Sequence, residues 1–403
     1  METTAYMGKR QGSPGEVFAA FLKLGLTSFG GPIAHLGYFR DELVLRRCWI
    51  DEKGYADLVA LCQFLPGPAS SQVGFALGLM RGGPLGAAAA WAAFTLPSAI
   101  LLVLFALGAH AFGGPIGSGI IHGLKVVAVA IVAQAVWGMA RTLCPDRERA
   151  GIALAAVLIV VIVSGSVGQI LAIAAGSLAG PWLCRTKSEA VSGHMTFPVS
   201  PATGIAALVL FFGLLFGLPA VAAGTNAQGL AVFDSFYRAG SLVFGGGHVV
   251  LPMLETEVVR SGWVSADQFL AGYGAAQAVP GPLFTFAAFL GTILGPAPNG
   301  FVGALIALVA IFLPGFLLLI GVIPFWDAFR GRPTAQAIMR GANASVVGIL
   351  GAALYQPVWT SAILEPYDFA LALTCFVLLM AWKMPPWIVV IVSAVGGVLI
   401  ALA

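Results

Sequence analysis

Long apolar segments follow one another along almost the whole chain, and short polar stretches separate them. Segments of this length and hydrophobicity are typical of helices that cross or enter a lipid bilayer, where backbone polar groups must be satisfied within the protein. The pattern therefore predicts an all-α polytopic membrane protein. Thirteen segments are readable, at about 15–39, 54–80, 84–111, 118–140, 150–164, 167–184, 201–222, 229–253, 265–295, 299–326, 335–358, 368–382 and 386–403.

Composition strengthens this prediction and excludes other classes of protein. Charged residues make up 9% of the chain, against about a quarter in an ordinary globular protein. The spans 190–233 and 268–326 contain no Asp, Glu, Lys or Arg, so a water-soluble fold could not cover its surface. Hydrophobic residues reach 59%, which is too many for a disordered chain. The net charge of +3 is too small to indicate a nucleic-acid partner.

The sequence carries no motif for a metal, a cofactor or a nucleotide. Its five His lack metal-binding spacing, and the Walker A, H-E-x-x-H and G-x-S-x-G patterns are absent. We therefore expect neither an enzyme nor an ATP-driven pump. The five Cys form no C-x-x-C pair, and we interpret them as small core residues. The polar first residues lack the apolar core of a cleavable signal peptide.

The two parts of the chain repeat one another in the same order, which indicates an internal duplication. The matched positions are Lys23 with Arg238, Gly25 with Gly240, the FGG at 29–31 with the FGG at 244–246, Trp49 with Trp263, QFLPGP at 63–68 with QAVPGP at 277–282, and Pro97 with Pro314.

The number of segments predicts that the second repeat is inverted. Six segments precede the one at 201–222 and six follow it. One additional crossing between two repeats inserts the second upside down, an architecture of transporters whose substrate site lies near the midplane. We predict an N-terminal membrane repeat at 1–184, a polar linker with a connecting transmembrane helix at 185–222, and a C-terminal inverted repeat at 223–403.

Positive charges indicate the orientation, because they collect in cytoplasmic loops. They place the N-terminus inside and the C-terminus outside the cell. The loop 40–53, with four Lys or Arg, fits only if the first two segments of each repeat are broken or re-entrant helices. We favour that arrangement, with nine full crossings, over thirteen crossings. The charges that set the orientation are Lys9, Arg10, Arg141, Arg147, Arg149, Arg185, Lys187, Arg330, Arg332 and Lys383.

Two Pro-Gly-Pro motifs interrupt apolar segments at equivalent places in the repeats. Proline removes an N–H donor and disfavours helix in the residue before it, so each motif should end one half-helix and start another. The free N–H groups and positive dipole end of the new half-helix form an anion site. A plain kink is the alternative. The predicted substrate-binding residues here are Pro66, Gly67, Ser70, Ser71, Pro280, Gly281 and Thr285.

Each repeat also carries a run of glycines at the end of its first apolar stretch. Consecutive glycines permit left-handed backbone and close approach of N–H groups to a ligand. Close helix packing, which also uses small residues, is the alternative. The candidates are Ser28, Gly30, Gly31, Gly245, Gly246, Gly247 and His248, the last being a side chain that titrates near neutral pH.

Lone charges in apolar runs are the remaining candidates. Lys23 and Arg238 occupy equivalent positions, and a cation at the bilayer centre costs on the order of 3 kcal/mol. Two in register suggest a pair that faces a shared anion, with snorkelling to the interface as the alternative. Asp57 and Glu255 are the candidates for coupling transport to an ion gradient.

Four motifs together resemble the chromate ion transporter family in its long, two-domain form. They are SFGGP (28–32), FLPGP (64–68), FGGGHVVLPMLETEVV (244–259) and FLAGYGAAQAVPGPLFTFAAFLG (269–291). The resemblance covers nearly the whole chain. It implies an inner-membrane protein with duplicated, oppositely oriented halves that exports chromate and confers resistance, powered by an ion gradient or potential rather than ATP.

We therefore predict a secondary transporter that exports chromate, a sulfate-like tetrahedral oxyanion, by alternating access. A transporter of sulfate or another small anion is one alternative. A non-transporting membrane scaffold or integral enzyme is the other. A homodimer is left open, because glycine-rich faces pack equally well between protomers and within one.

Overall fold

The computed structural model describes residues 12–108, 114–184, 197–225 and 227–403, apart from the side chain of Phe329. Every regular element in these ranges is helical. Most of the predicted polar linker, and with it Arg185 and Lys187, lies outside the described residues, as do Lys9 and Arg10. The helices are α1 (Pro14–Thr27), α2 (Gly31–Phe39), α3 (Glu52–Phe64), α4 (Ala69–Gly108), α5 (Gly114–Leu143), α6 (Arg147–Ile162), α7 (Ser166–Leu183), α8 (Pro201–Gly224), α9 (Gln228–Ser241), α10 (Val250–Leu254), α11 (Ala266–Ala276), α12 (Phe286–Ile293), α13 (Gly300–Val322), α14 (Trp326–Arg330), α15 (Pro333–Ala353), α16 (Thr360–Ala362), α17 (Pro366–Met380) and α18 (Pro386–Leu402).

The helices confirm the all-α polytopic prediction. Six are long and apolar enough to cross a membrane within the described ranges, and shorter apolar helices accompany them. Short π-helical segments extend α2 (Arg40–Arg46), α10 (Glu255–Val259) and α15 (Leu354–Trp359). The first two of these extensions stand at equivalent places in the two halves, so the repeat read from the sequence is also a repeat of local structure. The six candidate spans are Ala69–Gly108, Gly114–Leu143, Ser166–Leu183, Pro201–Gly224, Gly300–Ala328 and Pro333–Ala362.

Helix α4 is a hairpin of two limbs, residues 69–81 and 84–108, rather than one long rod. The backbone leaves helical geometry at Gly82 and Gly83, and Gly83 has a φ of +65°. The limbs fold back closely, since a Cβ on Gly78 would overlap the carbonyl oxygen of Gly86. In the second half Gly291 of α12 meets Gly303 of α13 in the same way.

The first two apolar segments enter and leave at one end of the molecule. The backbone N–H of Gly12 donates to the carbonyl of Arg81 at 2.9 Å, and the Arg81 guanidinium pairs with Glu16 at 3.1 Å. The same guanidinium lies 5.5 Å from the ring of Trp49. The start of α1, the loop before α3 and the end of the first α4 limb therefore meet. This fold-back is what a re-entrant arrangement of these segments requires, and their placement in the membrane stays a prediction.

One long helix of each half packs against helices of the other half. Helix α5 packs against α17 and α18, while α15 packs against α6 and α7. Both contacts are backbone to backbone: a Cβ on Gly123 would overlap the carbonyl oxygen of Ser393, and one on Gly341 would overlap that of Gly176. Small residues allow this close approach where lipid provides no hydrophobic drive between helices. The halves interlock in this way, and the boundaries drawn at 184 and 222 stay a prediction.

The cysteines follow the interpretation as core residues with one exception. Cys62, Cys184 and Cys375 are buried and Cys144 is half-buried, and all five thiols are free. Cys48 is exposed in the loop between α2 and α3, where its backbone has a φ of +50°.

Candidate anion site at the helix breaks

The two Pro-Gly-Pro motifs break the helices as predicted. Helix α3 ends at Phe64 and α4 begins at Ala69, and Gly67 between them has a φ of +121°. In the second half α11 ends at Ala276, and Gly281 has a φ of +104°. These values are open to glycine and strained for other residues.

The glycine runs break the first helix of each half. Helix α1 ends at Thr27, and Gly30 and Gly31 have φ values of +99° and +81°. Helix α9 ends at Ser241, and Gly245 and Gly246 have φ values of +74° and +143°. A short 3₁₀ turn then begins at Gly247 and leads through His248 into α10.

The four breaks meet through two reciprocal hydrogen bonds between the halves. The N–H of Gly67 donates to the carbonyl of Val243 at 2.7 Å, and the N–H of Gly281 donates to the carbonyl of Ser28 at 2.9 Å. Ser28 and Val243 are equivalent in the repeat, so the junction has approximate two-fold symmetry. The N–H groups of Gly67 and Gly281 are therefore engaged by the protein in this structure, and they join the halves.

Further contacts complete the junction on the same symmetric plan. Pro32 lies against Gly247, with its Cγ 3.2 Å from where a Cβ would stand. Gly67 packs on Gly315, and Gly281 packs on Ser98. Ser98 directly follows Pro97 in α4, and Gly315 directly follows Pro314 in α13. These two prolines are equivalent in the sequence repeat.

The polar side chains at the junction belong mostly to the first half. The Nδ1 of His35 lies 3.4 Å from the Oγ of Ser70. The amide of Gln72 donates to the carbonyls of Pro66 at 3.1 Å and Gly315 at 2.9 Å. In the second half the hydroxyl of Thr285 donates to the carbonyl of Pro282 at 2.7 Å.

His248 follows the second glycine run, and its environment differs from that of His35. Its Nδ1 is 2.8 Å from the hydroxyl of Tyr273 on α11. Tyr273 is fully buried, so this contact ties the start of α10 to α11. The structure thus gives His248 a partner within its own half.

Several buried polar atoms near the breaks have no hydrogen-bond partner among the described residues. Buried polar groups are ordinarily paired, so a buried group without a protein partner is available to a water, an ion or a ligand. Ser28 and Ser71 are predicted from the sequence, and the others are not. Their available signal was a polar residue inside an apolar segment beside a break. The atoms are Ser28 Oγ, His35 Nε2, Ser71 Oγ, Gln72 Oε1, Thr95 Oγ1, Gln277 Nε2 and Asn343 Oδ1.

The two predicted cations each have an acidic partner within their own half. Lys23 Nζ lies 2.7 Å from Glu42, and the Arg238 guanidinium lies 3.2 Å from Glu257. Both pairs span 19 residues and are equivalent in the repeat. Arg238 also contacts Asp234 at 2.8 Å. Glu42 and Glu257 are not among the residues predicted from the sequence, although the repeated 19-residue spacing is a readable signal.

Glu42 lies outside the six candidate membrane spans. Arg46 and Arg47 join Lys23 around its carboxylate at 3.0 and 2.8 Å. Burial by itself would raise the pKa of this carboxyl, but hydrogen bonds from Lys23, Arg47 and Arg46 outweigh burial and lower the pKa to about 2. The group is therefore ionised at neutral pH, and its charge is more than balanced by its neighbours.

The two coupling candidates are also paired. The buried carboxylate of Asp57 accepts from the Arg330 guanidinium at 2.9 Å and from the Trp326 indole at 3.2 Å, which joins α3 to α14 of the other half. Glu255 lies 3.6 Å from Arg260. A role for either residue in ion coupling stays a prediction.

An apolar cavity of about 170 Å³ lies elsewhere. It is lined by residues of α4, α12 and α13, among them Leu96 and Phe301. Such a lining offers no donor to an oxyanion. The part of the chain that the structure describes holds no group of His, Cys, Asp or Glu suited to a metal ion.

Comparison with known proteins gives a consistent result across the chain. The sequence model described as "Chromate transporter" matches residues 15–181 and 230–398. The chain is 29% identical over 390 residues to the chromate transport protein of Pseudomonas aeruginosa, which covers 94% of this chain and 90% of that protein. It is 27% identical over 404 residues to the probable chromate transport protein of Synechococcus elongatus, covering 94% and 93%. It is 28% identical over 340 residues to the chromate transport protein of Cupriavidus metallidurans, covering 83% and 80%. No solved structure matches the chain.

Proposed function

This chain belongs to the chromate transporter family, and from that premise we propose that it is a secondary transporter that exports chromate across the cytoplasmic membrane. The observation that carries the proposal is the junction of the four helix breaks. Two reciprocal hydrogen bonds hold the breaks together, and buried polar atoms without a protein partner surround them.

The chemistry of the junction suits a tetrahedral dianion. Chromate presents acceptor oxygens only, so its binding site must supply N–H and O–H donors. The first limb of α4 begins at the junction, and its first N–H groups carry the positive end of the helix dipole. Ser71 stands in its first turn with an unpaired hydroxyl. Sulfate offers the same oxygens, and it is the competitor to examine first.

Alternating access is supported by a helical hairpin that occurs once in each half. Helices α1 and α2 form one hairpin, and α9 and α10 form its equivalent. We propose that the second half is inverted, with α8 as the odd crossing, so the two hairpins open toward opposite faces. Rocking of one half against the other would expose the junction to each face in turn.

The charged ends support the predicted orientation. Arg40, Arg46, Arg47, Arg81 and Arg330 belong to the end at which α1 begins, and the positive-inside tendency assigns that end to the cytoplasm. The C-terminus of α18 is then outside.

The paired cations favour a revised role for Lys23 and Arg238. Each ion pair joins the two limbs of one hairpin, Lys23 with Glu42 and Arg238 with Glu257. We propose that these pairs hold the hairpins closed, and that the charge of the substrate is met by dipoles and hydroxyl groups at the junction.

Uptake of radiolabelled chromate into inside-out vesicles tests the proposal. We expect uptake that depends on the protein, requires respiration and stops when a protonophore dissipates the proton-motive force. Vesicles that lack the protein are the control, and excess sulfate measures selectivity. No uptake by vesicles in which the inserted protein is detected would overturn chromate export.

A further inference from the structure

The junction is symmetric in its backbone but not in its side chains. Three polar residues beside the first-half breaks have apolar equivalents in the second half. Their fourth neighbour, Ser71, corresponds to Thr285, the only hydroxyl kept among these positions. The equivalent pairs are Ser28 with Val243, His35 with Val250, and Ser70 with Phe284.

The polar residues of the first half belong to three segments that meet at the junction. Ser28 follows α1, His35 is on α2, and Ser70 begins α4. All three are buried, with 0%, 1% and 2% of their surface exposed. The His35 ring is fixed by Ser70 at 3.4 Å and by the edge-to-face ring of Phe94 at 5.4 Å. His35 and Ser70 are therefore in contact between α2 and α4, and the His35 ring also contacts the backbone of Ser28.

The hydrogen bonding of these side chains also differs between the first-half and second-half sides of the junction. Ser28 Oγ, Ser71 Oγ and His35 Nε2 have no partner in the described part of the chain. Thr285 has one, because its hydroxyl donates to the carbonyl of Pro282 at 2.7 Å. The hydroxyl groups of Ser28 and Ser71 are thus unused on the first-half side, whereas the second-half hydroxyl of Thr285 is already engaged. Gln277 Nε2, a second-half donor that also lacks a partner by geometry, lies beside the Tyr273 hydroxyl.

We propose that the oxyanion is held by the first half alone, through the hydroxyl groups of Ser28 and Ser71 and the Nε2–H of His35, at the start of α4. Val243, Val250 and Phe284 form the apolar wall that closes over it. This inference rests on the proposed function and assigns the binding site to one half of the junction. The ligand is a tetrahedral oxyanion, a description that fits both chromate and sulfate.

The contact between His35 and Ser70 gives the imidazole its orientation. In the tautomer that suits an anion, the Ser70 hydroxyl donates to Nδ1 and the ring proton is on Nε2. Ser70 is therefore a positioning residue, and His35 is a ligand. An anion bound to one wall moves with that wall, so the second half acts as the gate rather than as a second set of ligands.

Paired substitutions test the one-sided site in the vesicle assay with sodium chromate. Hydrogen bonds to charged groups carry enough free energy that losing one raises KM about tenfold or more. We expect this for Ser71→Ala and His35→Leu, with part of the affinity restored in His35→Gln. Thr285→Val removes the equivalent hydroxyl and should change KM less than twofold. Thr292→Val, which removes a hydroxyl bonded within α12, is the reference for a buried hydroxyl remote from the junction.

Binding to the purified proteins separates loss of a ligand from loss of folding. Chromate should raise the melting temperature of wild type and of Thr285→Val, but not that of Ser71→Ala, at equal stability without ligand. If wild type transports and Thr285→Val loses as much affinity as Ser71→Ala, the site is shared and this inference is wrong. If wild type neither binds nor transports chromate, it is the proposed function that fails.

Discussion

The N–H of Gly281 donates a hydrogen bond to the carbonyl oxygen of Ser28 at 2.9 Å, and this bond joins the Pro-Gly-Pro break of one half to the glycine break of the other. The equivalent bond from Gly67 to Val243 completes the exchange. Each helix break therefore forms a backbone hydrogen bond with a helix break of the opposite half. In the proposed rocking motion these bonds must either move with the halves or break, so we expect substitutions at them to impair transport.

Gly281→Ala should damage this junction. A Cβ there would stand 2.7 Å from Ser98 Oγ and 3.2 Å from the Phe94 carbonyl, on a backbone with a φ of +104°. Strain of this kind costs about 1–3 kcal/mol, so we expect a lower melting temperature in detergent and loss of most chromate uptake. Gly213→Ala on α8, where a Cβ meets nothing within 4 Å, is the control. Uptake equal to wild type by Gly281→Ala would show that the junction tolerates a side chain.

Arg330→Gln should destabilise the protein through Asp57. The substitution leaves a buried carboxylate without its cation, and loss of one partner of a buried pair costs about 3–5 kcal/mol. The double variant Asp57→Asn with Arg330→Gln should recover much of the melting temperature, because no unpaired carboxylate then remains buried. Arg40→Gln, at an exposed pair with Glu52, should have a much smaller effect. A double variant no more stable than Arg330→Gln alone would contradict this account.

Labelling of Cys48 tests the re-entrant arrangement. This thiol is exposed in the loop after α2. In the proposed orientation, a hairpin formed by α1 and α2 returns that loop to the cytoplasmic face. A membrane-impermeant maleimide should therefore label Cys48 in inside-out vesicles and not in intact cells, in a Cys144→Ser background. Ser261→Cys, in the equivalent loop of the second half, should show the opposite pattern. Labelling of Cys48 from outside intact cells would mean that the first segment spans the membrane.

The contribution of Glu42 to stability should depend on pH. Its pKa is lowered to about 2 from the ordinary 4.5, so the ionised group stabilises the folded protein above the higher value. That stabilisation is lost as the pH falls from 4.5 toward 2. The difference in melting temperature between wild type and Glu42→Gln should be full at pH 7 and shrink at pH 4 and pH 3. A difference that stays constant down to pH 3 would show that the ion pairs contribute little.

The sequence by itself determined the helical membrane class, the internal repeat and the positions of the four breaks. These features are local: apolar length sets a span, and proline and glycine act on their own backbone. The breaks at Gly67 and Gly281 stand where the motifs predicted them. The same local reasoning found Ser28 and Ser71 beside those breaks.

Only the tertiary structure decided which groups meet. It paired Gly281 with Ser28, gave Lys23 and Arg238 the partners Glu42 and Glu257, and packed α5 and α15 against the opposite halves. It also showed which polar atoms lack a partner, including the Nε2 of His35. Hydrogen bonds and ion pairs act over a few ångströms between residues far apart in the chain. The internal repeat shows which residues of the two halves correspond. It does not give the distances between helices, which are set only when the helices pack.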